Sequence, residues 1–409
     1  MSRSMPTGAL RGIRVLDVTQ AFSGPTCSQL LADHGADVIK VEPTAGGDVT
    51  RMLPPFAPGD SDRSYGALFQ HCNRNKRGLA IDLKSDKGRD LFKRLVKDAD
   101  VVVENFRYGV MDRLGIGYET LRQINPRLVY TSIRGFGDVA GGQSPYAELP
   151  AVDIIAQAMG GIMSVTGESA DNPGRIGSGI GDSVPGLFAA FGTLAAIMEA
   201  RSSGQGQYVD VSMVDSILAI CEQVTTQYGY SGVVPEPTGN RLPQIVPFGA
   251  VRTKDGPAVL AVPPGRAWEG FAKAFGKPEW LEDPRLNTEM ARIRNRDLVY
   301  EVVEAETAHR TRAELMDLLA GVVPFAPVYN ARDIAQDPHF AARDMLVPLD
   351  HPGIDGKVMV SGVPVKLSRT PGGIASRAPK LGEHTDEVLA EADLTRAEIE
   401  ALRGEGVVS

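Results

Sequence analysis

Short apolar strands alternate with helical segments along the first third of the chain. Gly24-Pro25 opens a helix that runs from Thr26 to Gly35, and Ser85 is the expected N-cap of a helix that continues to Asp98. The buried strands between these helices are predicted at residues 13–18, 37–41, 101–104 and 128–133. Because strands separated by helices form parallel sheets covered on both faces, this order predicts an α/β fold.

The length of 409 residues favours two domains, because a single hydrophobic core rarely grows beyond about 250–300 residues. Four prolines and three glycines lie between Tyr228 and Pro247, a composition typical of a linker or an irregular loop. A helical tail from Thr385 is expected to return to the first domain. We therefore predict a large α/β domain in residues 1–227, a linker in 228–247, a small α+β domain in 248–330 and a return to the large domain in 331–409.

Composition and charge exclude several classes of partner. The formal net charge of −8 disfavours nucleic acid, because phosphate contacts require a basic surface. The N-terminus lacks the apolar stretch of a signal peptide, and the richest apolar run, Leu187 to Met198, is too short to cross a bilayer. Three widely separated cysteines fit a reducing compartment. These features predict a soluble, cytoplasmic protein with no nucleic-acid or membrane partner.

The common cofactor and metal motifs are absent from the sequence. The first turn between strand and helix reads Phe22-Ser23-Gly24-Pro25 rather than GxGxxG, and no GxxxxGK[ST] occurs. The six histidines form no HxH or HxxxH pair that would present two imidazoles to one metal. The sequence therefore predicts no nicotinamide site, no nucleoside triphosphate site and no metal site.

The most informative local stretch is the glycine-rich run from Gly177 to Gly181, which is followed by Asp182 and Ser183. Glycines let a ligand approach the backbone closely, and Asp182 presents a carboxylate at the start of an apolar helix. That carboxylate fits a nucleophile, although the residue type alone favours an N-cap. The segment from Gly181 to Pro185 misses the GxSxG pattern of hydrolases only in its last residue, which leaves Ser183 as a weaker alternative nucleophile.

Two further features supply charged candidates. Asp153 precedes an apolar helix at residues 154–160, so it either brings a second carboxylate near Asp182 or caps that helix. Residues 70–115 contain eleven Lys and Arg against seven Asp and Glu, a local positive excess that suits an anionic small molecule. The phosphate-binding candidates in this stretch are Arg74, Lys76, Arg77 and Lys84. Most charges of the helix after Ser85 are typical of a solvated face.

Taken together, these segments resemble the class III CoA-transferases, the family of formyl-CoA transferase and carnitine CoA-transferase that also contains methylacyl-CoA racemases. The resemblance extends in order over nearly the whole chain. Its segments are GIRVLD (12–17), LADHGADVIKVE (31–42), GD (47–48), NRNKR (73–77), ADVVVENFR (99–107), RLG (113–115), NPRL (125–128), QAMGG (157–161), residues 204–212 and LGEHT (381–385).

The resemblance implies roles for individual residues. Asp182 matches the nucleophilic aspartate of the family, which outweighs the interpretation as an N-cap, and Asp153 is a second candidate catalytic residue. The CoA-binding residues expected from the resemblance and the basic stretch are Gln20, Ala21, Arg74, Leu83, Lys84, Asn105, Phe106 and Arg113. The family also implies a coenzyme A thioester as substrate, no permanently bound cofactor, and two subunits interlocked as a homodimer, each with a large Rossmann-like domain and a small α+β domain.

Two departures from the family pattern bear on the reaction. The racemases place a histidine directly before the acidic residue that matches Asp153, and here that residue is Val152. A racemase needs acid and base groups on opposite faces of an α-carbon, so CoA transfer is favoured; a 2-methylacyl-CoA racemase and a non-catalytic CoA-binding protein remain alternatives. Phe22 stands where the formyl-CoA branch has a glutamine, which disfavours formyl-CoA and oxalate as substrates.

The implied mechanism is covalent. Asp182 attacks the acyl-CoA thioester, an aspartyl-CoA thioester forms on the enzyme, and an acceptor carboxylate then takes the CoA. The oxyanion donors are expected among the amides from Gly177 to Gly181 or in the loop at Asn240. The arginines considered as clamps for a second carboxylate are Arg51, Arg134, Arg175 and Arg241, and they point to succinyl-CoA and small dicarboxylates as substrates.

Overall fold

The computed structural model describes residues 8–139 and 141–409. The chain divides into two compact units. The first comprises the residues up to Ile162, Ile176–Thr226 and Pro338–Ser409, and the second comprises Met163–Arg175 and Gln227–Asp337. The C-terminal segment therefore belongs to the same unit as the N-terminal segment.

A six-stranded parallel sheet forms the centre of the first unit. Its strands are β1 (Arg14–Asp17), β2 (Asp37–Glu42), β3 (Arg77–Ala80), β4 (Val101–Glu104), β5 (Val129–Arg134) and β8 (Tyr208–Ser212). Their spatial order is β3-β2-β1-β4-β5-β8, and each neighbouring pair is parallel. The predicted α/β class with a parallel sheet is confirmed.

Helices connect these strands and cover both faces of the sheet. The helices of the first unit are α1 (Ser23–Asp33), α2 (Ala67–Asn73), α3 (Asp86–Val96), α4 (Val110–Arg113), α5 (Tyr118–Ile124), α6 (Asp153–Met159), α7 (Ile180–Ser203), α8 (Met213–Ile220), α16 (Pro338–Ala342), α17 (Thr385–Glu391) and α18 (Arg396–Gly404). A short 3₁₀ helix (Val49–Met52) follows β2, and a second one (Ile162–Val165) follows α6. A hairpin of β12 (Leu346–Asp350) and β13 (Lys357–Ser361) precedes the C-terminal helices.

Alternating side chains of the strands feed two hydrophobic cores, one on each face of the sheet. Val15, Val101 and Val103 pack against α1 and α7 residues on one face, while Leu16 and Val102 pack with Phe92 of α3 and with α17 and α18 on the other. This alternation follows from the period of two in a strand. Full burial of both faces explains why the strands read as continuous apolar runs.

The strand order reverses direction between β1 and β4. From β1 the chain adds strands towards β3 on one side, and from β4 it adds them towards β8 on the other. In open α/β sheets, ligands bind outside the carboxyl ends of the strands at such a switch point. A functional site is therefore expected among the residues that follow β1 and β4.

The second unit is a smaller α+β arrangement. Its antiparallel sheet, in the order β11-β10-β9, consists of β9 (Phe248–Thr253), β10 (Gly256–Ala261) and β11 (Phe325–Pro327), and a small hairpin consists of β6 (Gly167–Ser169) and β7 (Asn172–Pro173). Its helices are α10 (Ala267–Ala274), α11 (Glu279–Glu282), α12 (Glu289–Arg294), α13 (Arg296–Thr307), α14 (Arg312–Leu319) and α15 (Ala331–Gln336). Stacked Trp268, Phe271 and Trp280 fill its core.

The predicted start of the linker differs from the structure. Helix α9 (Glu222–Ser231) continues past Tyr228, so the irregular segment begins at residue 232. Helix α7 is buried on one side only, and its Phe191 and Met198 are 72% and 74% exposed. The reason is that only one face of α7 packs on α1 and the sheet.

Helix α7 is also the one helix among the described residues that is long and apolar enough to cross a membrane, judged by length and composition alone. Its buried face, which includes Ala189 and Ile197, belongs to the hydrophobic core against the sheet. Core helices of soluble proteins pass the same test, so its composition is weak evidence for a membrane span.

Candidate active site

At the switch point, a side-chain amide joins the segment after β4 to the loop after β1. Asn105, directly after β4, accepts a hydrogen bond from the Gln20 amide and donates one to the Gln20 carbonyl oxygen, both at 2.8 Å. The side chain of Asn105 thus satisfies the main chain of the loop after β1 as a neighbouring strand would do. Gln20 and Asn105, two predicted CoA-binding residues, are therefore brought together.

The loop after β1 rests on a buried network of charges. Lys40 donates to Asp48 at 2.9 Å and to the Thr19 carbonyl oxygen, and Lys76 donates to Asp17 at 2.8 Å. All four charged side chains are fully buried. Asp48 also accepts from the amide of Ala21, which adopts a left-handed φ of 65° that is uncommon outside glycine. This network holds the loop of Gln20 and Ala21, two predicted CoA-binding residues, in a backbone conformation that is otherwise unfavourable.

The N-terminus of α7 packs tightly against this loop and against Asp153. Gly179 is the N-cap of α7, and a β-carbon there would lie 2.9 Å from the ring of Phe22. A β-carbon on Gly181 would lie 2.3 Å from the Asp153 carbonyl oxygen. Two glycines of the run therefore permit close packing of protein against protein, whereas Gly177 has open space around its α-carbon.

Asp182 is the third helical residue of α7, so it is not the N-cap that its residue type suggested. Its side chain is partly buried, and among the residues that the structure describes no group donates a hydrogen bond to its carboxylate. Burial and then repulsion from Asp153 raise its pKa to about 6. A more basic carboxylate that is still ionised at neutral pH and has no competing donor is well suited to nucleophilic attack.

Asp153 is fixed beside Asp182 by two partners. The amide of Gly181 donates to its Oδ1 at 2.8 Å, and the Gln157 side chain donates to both carboxylate oxygens at 2.9 and 3.0 Å. Asp153 is the first residue of α6, and its side chain makes no capping bond. The interpretation of Asp153 as a helix cap is therefore wrong. Sequence reasoning missed Gln157, although its position four residues after Asp153 places it on the same helix face.

The remaining predicted CoA-binding residues lie at the carboxyl edge of the sheet. Leu83 and Phe106 are half-buried and pack against the core. Lys84 and Arg113 are exposed, and Arg113 makes only a long contact of 3.5 Å to the Tyr108 carbonyl oxygen. These residues follow strands β3 and β4, which are separated by β2 and β1. With about 4.8 Å between neighbouring strands, the two ends lie about 14 Å apart.

The structure contradicts the prediction that Arg74 binds CoA. Arg74 is 2% exposed, pairs with both oxygens of Asp33, and donates to the Ser361 carbonyl oxygen at 2.6 Å. Lys76 and Arg77 are likewise buried in ion pairs, with Asp17 and with Asp37. Of the four phosphate-binding candidates, Lys84 alone is solvent-exposed.

Two of the four arginines considered as carboxylate clamps are also committed elsewhere. Arg51 is buried against Glu42, and Arg134 is buried against Glu104 and Asp138. Arg241, in the second unit, pairs with Glu304 and lies 3.8 Å from the Tyr300 ring centroid. Arg175 is exposed. The burial of Arg51 and Arg134 depends on tertiary pairing, because their partners Glu42 and Glu104 lie 9 and 30 residues away on strands β2 and β4.

Other chemistries find no support in residues 8–139 and 141–409. That part of the chain contains no group of three or more His, Cys, Asp or Glu side chains able to hold a metal ion. Ser183 makes no hydrogen bond to a histidine there, so the geometry of a hydrolase nucleophile is missing. Val152, the N-cap of α6, is 59% exposed and offers no proton-transfer group next to the two aspartates.

The family model described as CoA-transferase family III matches residues 10–385. The chain belongs to this family. It is an acyl-CoA:carboxylate CoA-transferase.

Similar proteins cover nearly the whole chain. The succinyl-CoA:mesaconate CoA-transferase of Haloarcula hispanica is 44% identical over 94% of this chain and 96% of its own length. The succinate–glutarate CoA-transferase of Agrobacterium fabrum is 37% identical over 94% of this chain and 96% of its own. The crystal structure of a CAIB/BAIF family protein from Brucella suis superposes with a TM-score of 0.85 at 35% identity, covering 95% of this chain and 100% of that one.

Proposed function

We propose that the protein transfers CoA from succinyl-CoA to a small dicarboxylic acid through a CoA thioester on Asp182. The observation that carries the proposal is the state of the Asp182 carboxylate: partly buried, without a hydrogen-bond donor among the described residues, and raised in pKa to about 6 beside Asp153. Family membership supports CoA transfer in general, and the geometry supports Asp182 as the group that carries the CoA.

The first half-reaction loads the enzyme. A carboxylate oxygen of Asp182 attacks the thioester carbonyl carbon, the carbon–sulfur bond breaks, and CoA thiolate leaves behind a mixed anhydride. The thiolate then attacks the aspartyl carbonyl of the anhydride and expels the donor as a free carboxylate. The product is an aspartyl-CoA thioester on Asp182, which retains the energy of the original thioester bond.

The second half-reaction reverses these steps with a different acid. The acceptor carboxylate attacks the aspartyl thioester and expels CoA thiolate, and the thiolate then attacks the acceptor's acyl carbonyl in the new anhydride. Asp182 is regenerated as a carboxylate, and the acceptor leaves as its CoA thioester. No nucleotide is consumed, because one thioester is exchanged for another.

The CoA chain is proposed to extend along the carboxyl edge of the sheet. Lys84 is available for a phosphate group at the end of β3, and Arg113 for another beyond β4. Leu83 and Phe106 offer apolar contacts between them. Gln20, Ala21 and Asn105 lie at the switch point, where the thioester end would meet Asp182. Coenzyme A is here the substrate, and the proposal needs no permanently bound cofactor.

The amides of the glycine run are less available as oxyanion donors than the sequence suggested. The Gly181 amide donates to Asp153, and the Ile180 amide donates to the Ser178 carbonyl oxygen at 2.8 Å. An oxyanion hole needs donors that are aimed at the developing charge. The donors are therefore proposed among the amides just before Ile180.

The substrate proposal rests on the names of similar enzymes. Both relatives described above use succinate or succinyl-CoA with a second dicarboxylic acid, mesaconate or glutarate. Arg51 and Arg134 are committed to buried ion pairs and are therefore withdrawn as candidates to bind the distal carboxylate. Kinetics with matched mono- and dicarboxylates test this part: equal kcat/KM values for propionyl-CoA and succinyl-CoA would contradict it.

The proposed assembly is an interlocked homodimer in the cytoplasm, with a large domain built from both chain ends and a small inserted domain. The apolar side chains exposed on α7, including Leu187, Phe191 and Met198, support a face that is covered by another subunit. A reversible monomer–dimer equilibrium under native conditions would contradict interlocked subunits.

Peptide mass spectrometry after incubation with succinyl-CoA tests the function directly. Borohydride or hydroxylamine trapping should modify the peptide that contains Asp182, and the Asp182→Asn variant should show no modification. If no acyl-CoA modifies Asp182 and the enzyme instead exchanges the α-hydrogen of 2-methylacyl-CoA with deuterium, the protein is a racemase. Binding of acyl-CoA with neither result would indicate a non-catalytic protein.

A further inference from the structure

A buried ion pair holds the main chain of the turn that follows β4. Glu104, which is fully buried, accepts from the Phe106 amide on Oε2 and from Arg134 Nη2 on Oε1, both at 2.8 Å. Arg134 Nη1 in turn donates to the Phe106 carbonyl oxygen at 2.8 Å. The pair therefore forms a closed ring of hydrogen bonds that satisfies both main-chain polar groups of Phe106.

The orientation of Arg134 within this ring is fixed from the other side. Its Nε donates to Asp138 Oδ2 at 2.7 Å, and the Tyr208 hydroxyl donates to the same oxygen at 2.8 Å. Three guanidinium nitrogens thus have three separate acceptors, and the residue is only 7% exposed. A planar guanidinium with this many directional bonds has one orientation, which a flexible ammonium group does not reproduce.

Asn105 repeats the arrangement one residue earlier in the chain. Its side-chain amide satisfies both main-chain groups of Gln20, as described above. The loop that contains Gln20 continues to Phe22, whose ring contacts the N-terminus of α7 at Gly179. A continuous series of contacts therefore leads from Arg134 through the Asn105–Phe106 turn to the loop beside the nucleophile.

We propose that Glu104 and Arg134 are positioning residues that set the geometry of the CoA-contacting turn Asn105–Phe106 and, through Asn105, of the Gln20 loop. The proposal rests on the proposed function, because these two segments are the proposed CoA contacts. Loosening the ring displaces both segments at once, whereas the start of α7, which carries Asp182, is also anchored by the bond from the Gly181 amide to Asp153. Loss of the ring therefore weakens CoA binding more than it slows the chemical step.

The test compares two buried arginines with similar partners. Arg134→Lys keeps the positive charge but loses the bonds to the Phe106 turn. Arg74→Lys is the matched control, because Arg74 also pairs with a carboxylate and donates to a main-chain carbonyl oxygen but lies outside the site. The dissociation constant for free CoA is measured by calorimetry, together with kcat, KM for succinyl-CoA and the melting temperature.

We expect Arg134→Lys to raise the CoA dissociation constant and KM by at least about tenfold, with a smaller change in kcat. Arg74→Lys should lower the melting temperature to a similar extent and leave the dissociation constant within about twofold of the wild-type value. Equal dissociation constants for Arg134→Lys and the wild type would show that Arg134 acts on stability alone, and the proposal would be overturned.

A second variant keeps the test decisive if Arg134→Lys does not fold. Glu104→Gln retains the shape of the side chain, but its amide nitrogen opposes either the Phe106 amide or Arg134, so the ring is broken at one point. It should also raise the CoA dissociation constant, and an unchanged constant overturns the proposal. A wild-type protein that binds no CoA and forms no adduct on Asp182 overturns the proposed function and this inference together.

Discussion

Two groups of aspartates in the first unit, one fully and one partly buried, differ in the charges around them. Asp17 and Asp48 pair with Lys76 and Lys40 at 2.8 and 2.9 Å, in a network that is closed to solvent. Asp153 and Asp182 have each other as neighbours, and among the described residues neither forms an ion pair. One group is electrically balanced and the other carries an excess of negative charge.

The pKa values of the two groups move in opposite directions. Burial alone would raise the pKa of Asp17, but the ammonium groups of Lys40 and Lys76 outweigh it and hold the pKa well below its usual range. The pKa of Asp48 is also lowered, because Lys40 and the Thr50 amide outweigh burial. Burial and Asp153 act together on Asp182 and raise its pKa to about 6. Cations thus distinguish the structural carboxylates from the reactive one.

The largest expected effect is on catalysis by Asp182. Asp182→Asn removes the nucleophile and should reduce kcat by about 10⁴-fold or more, as for other covalent catalysts. Steady-state CoA transfer from succinyl-CoA measures it. The matched control is Asp48→Asn, which should lower stability through the loss of a buried charge partner while leaving CoA transfer per folded molecule far above that of Asp182→Asn. Similar residual activities in the two variants would remove the distinction between the groups.

The second prediction concerns the removal of one cation from the balanced network of Asp17, Asp48, Lys40 and Lys76. Lys76→Met leaves Asp17 buried without one of its cations and should lower the free energy of unfolding by about 3–5 kcal/mol, measured by urea titration. Lys357→Met removes the cation of an exposed pair with Asp350 and should cost less than about 1 kcal/mol. If the two variants lost the same stability, the buried network would not be held by its charges.

Local sequence signals predicted most of the fold. The strand at 101–104 has the predicted bounds, and Ser85 accepts from the Gly88 amide as the predicted N-cap of α3. These features depend on residues within one turn of each other, so the sequence contains all the information that they need. The parallel sheet follows from the order of such elements.

The candidate site depends on contacts that local patterns do not contain. Arg74 and Lys84 lie in the same basic stretch. Arg74 is buried in an ion pair with Asp33, 41 residues away, whereas Lys84 is solvent-exposed. The Asp153–Gly181 bond joins residues 28 positions apart. The role of Asp182 as nucleophile follows from the family resemblance, because its residue type alone favours an N-cap. Its neighbour Gln157 was predictable from helical spacing only once Asp153 was known to point into the site.

A third prediction concerns the effect of the Asp153–Asp182 pair on the free energy of unfolding. Because folding raises the pKa of Asp182, the protonated form stabilises the native state below the usual aspartate pKa, and this contribution is lost as the pH rises through about 6. Above that pH the ionised carboxylate destabilises the native state. After allowance for partial solvation, Asp182→Asn should therefore gain about 1–2 kcal/mol of unfolding free energy at pH 8.

The same measurement has an internal control. The advantage of Asp182→Asn should shrink as the pH falls from 6 to 4, because the wild-type carboxyl group then binds a proton. Urea titrations at pH 4.5, 6 and 8 measure it. An advantage that is constant over this range would mean that the asparagine stabilises the protein by packing and not through the charge.

The smallest effect expected is a shift of the pH profile when Asp153 is neutralised. The wild-type kcat/KM should fall below about pH 6 as Asp182 is protonated. Asp153→Asn removes the repulsion but not the burial, which is the larger cause, so the acidic limb should move down by less than about one pH unit. Asp215→Asn, which neutralises an exposed carboxylate on α8, should leave the limb unchanged. An upward shift in Asp153→Asn would contradict repulsion between the two carboxylates as a cause of the raised pKa of Asp182.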